Sequence, residues 1–161
     1  RNMPMGYGIH PYFCAPLSRS TSPENCLIMV PARKYWELKD FLPTGKILEA
    51  SGRYNLRDGV HKSDIRFDDV FTGLIMTEGV SRCVIDDREA GMRMILESDA
   101  IFREMVVYTP PNRPSVCFEP YTCPTDAINL HQRGIDAGVI VLRPGESVSA
   151  KVKIILRKEN H

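Results

Sequence analysis

No apolar run in this chain approaches the roughly 20 residues that a membrane-spanning helix needs. The first residues hold no apolar segment of the kind a signal peptide requires. No CxxC pair occurs, and the cysteines number 5, an odd count. Neither a zinc site nor a disulfide framework is therefore indicated, and free thiols in a reducing cytoplasm are expected. Net charge is only +1. That leaves no electrostatic footprint for nucleic acid or an anionic membrane. Long helical periodicity, internal repeats and low-complexity segments are all missing. An initiator methionine is missing too, so the chain is read as a fragment or a processed product.

What is present is a globular composition. The 161 residues are 43% hydrophobic and 25% charged, enough for one domain, residues 1–161, with a substantial core. Short apolar runs are separated by Pro- and Gly-rich turns. Strands are expected around residues 5–13, 25–31, 34–38, 46–50, 72–77, 80–86, 91–97, 102–109, 115–119, 139–142 and 148–156, with turns at 41–45 and 143–146. Trp36 reads as core. Such a dense succession of short strands predicts an all-β, antiparallel β-sandwich with almost no helix.

Three places carry chemistry. In residues 115–121, Val116 and Phe118 point to one side of a strand and Cys117 and Glu119 to the other. Pro120 cannot donate to a ladder, so regular pairing should weaken or end there. Glu119 then stands at a strand's end opposite an apolar face; on the local pattern alone it reads as a solvated carboxylate. His10, held extended by Pro11, reads locally as a histidine satisfied by backbone. Gly6 and Gly8 suit a strand that another group approaches closely. Asp68 and Asp69 lie between Phe67 and Phe71. On a strand they face opposite ways, one into a cleft and the other into solvent. No histidine or third acid stands at ligand spacing from this pair, so no metal is expected. Cys117 and Cys123 flank Glu119 but read as packing rather than as nucleophiles.

The order of five elements resembles the aldose 1-epimerase (galactose mutarotase) family. His10-Pro11-Tyr12-Phe13 is similar to the family's His-x-Tyr-Phe strand, and Pro43-Thr44-Gly45 to its Pro-x-Gly turn. Asp68 to Phe71 looks like its Asp-x-x-Phe motif. Residues 118–127 resemble the block that carries its catalytic glutamate, and residues 142–146 its near-terminal turn. The resemblance implies a galactose mutarotase-like supersandwich, here the later part of the domain. It implies that Glu119 is the base and His10 the acid that open and reclose a hexose ring. Asp68 would hold a sugar hydroxyl, and no metal or cofactor would be needed. Family members carry further strands upstream, with another histidine and an arginine at the sugar. A companion chain bearing those strands, or self-association, is therefore expected, since a sandwich cut this way should leave an unpaired edge and an apolar face. The acid and base are expected to face each other across a gap that fits a sugar. Two other readings stand beside this one. A hexose-phosphate epimerase would need a phosphate site, for which Arg57, Arg66 and Arg113 are available though not clustered in sequence. A non-catalytic sugar-binding or regulatory sandwich would keep the fold without the chemistry.

Overall fold

A computed structural model describes residues 1–159. In chain order the strands are β1 (Met3–Met5), β2 (Tyr12–Cys14), β3 (Cys26–Met29), β4 (Ala32–Lys39), β5 (Leu42–Glu49), β6 (Val60–His61), β7 (Asp68–Leu74), β8 (Val80–Asp87), β9 (Met92–Asp99), β10 (Glu104–Tyr108), β11 (Ser115–Tyr121), β12 (Ile140–Leu142) and β13 (Val152–Lys158). The helix α1 (Ala127–Gln132) follows β11. A six-stranded sheet has the order β2-β11-β10-β7-β4-β5, and a five-stranded sheet the order β13-β9-β8-β3-β6. β1 and β12 form a separate ribbon. All pairings are antiparallel, as the expected sandwich requires.

The alternation of each strand decides which side chains meet between the sheets. Phe71, Met105, Val107, Val116 and Phe118 come from the larger sheet; Ile28, Cys83, Ile85 and Leu96 come from the smaller. The outer face of the larger sheet has its own apolar cluster. Trp36, Val70 and Val106 are covered there by Ala127, Leu130 and Ala137 on and after α1. This cover reaches only part of that face, and the uncovered part holds the candidate site.

Several boundaries differ from the sequence reading. Residues 5–13 do not form one strand: β1 ends at Met5, β2 begins at Tyr12, and Gly8 makes an isolated bridge to Tyr121. The expected turn at residues 41–45 lies instead at Asp40 and Phe41, both with positive φ, 51° and 64°. A two-residue type I′ hairpin turn needs that conformation at both positions. Pro43 and Gly45 sit within β5, at the sheet's edge, where a strand tolerates a missing N–H. The acidic motif and residues 72–74 form one continuous strand, β7.

Candidate active site

β11 sorts its side chains by alternation. Val116 and Phe118 are fully buried between the sheets. Cys117, Glu119 and Tyr121 therefore face outward from the sandwich core. Pairing does not end at Pro120, as the sequence suggested: β11 continues to Tyr121, with Pro120 opposite Met105 and Tyr121 opposite Glu104. In a strand a residue's N and C=O point to the same side. The Pro120 carbonyl accepts a bond from the Ile9 N–H at 3.4 Å. Its missing N–H thus faces residues 8–11, beyond the end of β2, where no regular ladder needs it.

That irregular segment delivers the histidine. The Thr122 N–H donates to the Tyr7 carbonyl at 2.8 Å. A Cβ at Gly8 would collide with the Tyr121 ring, so the close approach expected at these glycines is observed. The chain then turns into β2, and His10 Nε2 comes to 3.2 Å from Glu119 Oε1. His10 keeps 46% of its side chain exposed, whereas Glu119 keeps 3%. The glutamate is not the solvated carboxylate its local pattern suggested. It is a buried carboxyl reached through an exposed imidazole. The expected gap between the two is absent, because hydrogen-bonding distance separates them.

Burial pushes the Glu119 carboxyl above its ordinary value. The Tyr121 hydroxyl and His10 pull it back, and Asp68 adds a further push upward. Tyr121 donates to Glu119 Oε2 at 2.9 Å. Its own ionisation is pushed up to about 12, first by burial and then by the Glu119 charge, so it remains a donor.

Asp68 lies on the same outer face. Its cross-strand partner is Tyr108, whose partner on the other side is Cys117. Two strand spacings put Asp68 about 10 Å from β11. Asp69 takes the opposite direction, but not into solvent. It is half-buried, its carboxyl is pushed up by that burial, and Oδ1 accepts from the Tyr54 hydroxyl at 3.3 Å.

The Cys117 thiol is pushed up to about 12, by burial first and by the Glu119 charge second. It stays protonated near neutrality, which weighs against a nucleophilic role. The donor atoms of His10, Cys117 and Glu119 do lie within 4.8 Å of one another. A metal could use that spacing only by displacing the thiol proton.

Three tyrosines complete the face and were not singled out by sequence reasoning. Tyr12 stacks on His10 with centroids 5.0 Å apart and an interplanar angle of 12°. Tyr108 meets His10 edge-on at 6.3 Å and 83°. Tyr121 follows Glu119 by two residues, so alternation alone puts it on the same face. Reading Pro120 as the strand's end hid that relationship.

Comparison with known proteins adds the ancestry. The family model for aldose 1-epimerase matches residues 1–154. A galactose mutarotase-like protein from Clostridium acetobutylicum is similar in structure, with TM-score 0.85 and 24% identity, over 98% of this chain and 48% of that one. An aldose epimerase homologue from C. elegans gives TM-score 0.78 at 14% identity, over 99% of this chain and 53% of that one. A putative aldose 1-epimerase from Escherichia coli K12 gives 0.73 at 22%, over 98% of this chain and 52% of that one. These likenesses establish a galactose mutarotase-like fold. The chain spans about half the length of these solved structures.

Proposed function

Because this chain belongs to the aldose 1-epimerase family, we propose that it interconverts the α and β anomers of a hexose, with Glu119 as base and His10 as acid. The observation that carries this is the 3.2 Å separation of His10 Nε2 and Glu119 Oε1. Mutarotation needs a proton removed from the C1 hydroxyl and a proton given to the ring oxygen. Both oxygens are bonded to C1, so a base and an acid standing side by side suit the reaction better than a pair set across a gap.

The step balances within the pair. Glu119 takes the hydroxyl proton, the C1–ring oxygen bond breaks, and protonated His10 donates to the departing oxygen. An open-chain aldehyde results. Rotation about the C1–C2 bond presents the other face of the carbonyl, and the same transfers in reverse close the ring as the other anomer. Neither group is changed overall. A carboxyl that burial raises above its ordinary value is a better base than an exposed one. The half-exposed Tyr12 ring offers an apolar face for the sugar's C–H groups, and Asp68 accepts from a sugar hydroxyl.

An unphosphorylated hexose fits better than a hexose phosphate. Arg57 is engaged by the Ala32 and Ala50 carbonyls at 2.9 and 3.2 Å. Arg66 and Arg113 line a cavity at the far end of β11. Further strands, on the same polypeptide or on a companion chain, are part of this proposal. Ile154 and Leu156 stand opposite Leu96 and Met94, whose side chains enter the core, yet they are exposed. Among the described residues, no helix is long and apolar enough to cross a membrane.

Magnetisation exchange between the α and β H1 signals of galactose or glucose tests the reading. Exchange above the spontaneous rate, lost in His10→Gln, is expected. Sugar binding without any exchange would identify a non-catalytic sandwich instead.

A further inference from the structure

At the end of the sandwich where β10 passes to β11, a cavity of about 270 Å³ brings together Lys62, Arg66 and Arg113. The fold brings Arg113, available but distant in sequence, to Lys62 and Arg66. Lys62 is only 6% exposed. Buried charges are ordinarily paired, because an unpaired ammonium in a poorly solvated site is costly. None of the ion pairs formed by the described residues involves Lys62, Arg66 or Arg113. Arg66 turns one nitrogen to the Ser63 and Ile65 carbonyls, at 3.2 and 2.7 Å, which fixes the guanidinium; its other donors make no hydrogen bond among the described residues. Glu24 is the acidic side chain of the lining, against these three cations. Pro110 and Pro111 form part of the wall. Prolines have fixed φ and no N–H, so the wall is stiff and the donors available to an anion are chiefly the cationic groups.

We propose that this cavity is an anion site, distinct from the sugar site, in which Lys62, Arg66 and Arg113 hold one phosphate group, free or as a phosphate monoester. Two guanidinium groups and an ammonium match a phosphate's several acceptor oxygens. The site is separate because the run of β11 from Ser115 to Glu119 is about 13 Å long at a strand's rise per residue. A hexose phosphate with C1 at Glu119 does not bridge that distance, so an anion here acts beside the sugar reaction and not as part of its substrate.

Titration calorimetry of the whole chain with inorganic phosphate tests this at low ionic strength. One saturable site is expected. Arg113→Ala, an exposed loop substitution that spares the core, should weaken binding about tenfold or more. Lys62→Met should do the same, and Glu119→Gln should bind phosphate as the unmodified chain does. A hexose 6-phosphate should compete with inorganic phosphate and depend on Arg113 but not on Glu119. The proposal is overturned if millimolar phosphate gives no saturable binding or if Arg113→Ala binds phosphate unchanged. It is equally overturned if Glu119→Gln weakens binding of the hexose phosphate.

Discussion

The Tyr121 hydroxyl lies 2.9 Å from Glu119 Oε2, on the oxygen that His10 leaves free. The two contacts divide the carboxylate: one oxygen faces the imidazole, and the other is fixed by a phenol that remains protonated. Tyr121→Phe removes that donor without changing the ring. Because the bond lowers the Glu119 pKa against burial, its loss should raise it. The acidic limb of the kcat/KM profile should move to higher pH, because a hydrogen bond to the charged form is lost. A tyrosine that only packs would leave the limb where it was.

Asp68→Asn tests the outer edge of the face. Asp68 is exposed, and the proposed function gives it the role of holding the sugar. KM should rise about tenfold with kcat little changed, as for an interaction made equally in ground and transition states. A fall in kcat at constant KM would assign it to the chemistry instead.

Glu104 supplies a prediction about stability. It is fully buried, Oε1 has no hydrogen-bond partner among the described residues, and Oε2 accepts from Trp36 Nε1 at 3.0 Å. Burial pushes its carboxyl from 4.5 to about 7, with Thr72 and Trp36 opposing. The fold therefore favours the protonated form. That contribution is complete below the unfolded value, declines as pH rises toward about 7, and stays lost above it. The amount is on the order of 3 kcal/mol. Glu104→Gln, neutral at every pH, should raise the melting temperature at about pH 8 and change it little at about pH 4.5. A lower melting temperature at the higher pH would contradict this.

The sequence made the sandwich legible because its strands alternate or run apolar between Pro/Gly turns. Val116 and Phe118 against Cys117 and Glu119 gave both the core side and the site side of β11. What was hidden had local causes. The Asp40-Phe41 turn uses positive φ at Phe41, a residue that carries no such signal, so the reading slid to Pro43 and Gly45. Pro120 seemed to stop a strand because which side its missing donor faces depends on a neighbour absent from the local sequence. That error concealed Tyr121. The short helix α1 covers Trp36 and Val70 with Ala127 and Leu130, too few residues for periodicity to reveal. Burial of Glu119, and the absence of a gap beside it, follow from how residues 7–10 lie along β11, a long-range fact that no local pattern encodes.

The most direct test of the central claim is polarimetry of freshly dissolved α-galactose or α-glucose with this chain and with Glu119→Gln. The chain alone should accelerate equilibration modestly, and a polypeptide bearing the further strands of the proposal should raise the rate, since added contacts orient the sugar. Glu119→Gln should return equilibration to the spontaneous rate in both settings while leaving the circular dichroism spectrum unchanged. Acceleration that survives Glu119→Gln would contradict the assignment of Glu119 as the base.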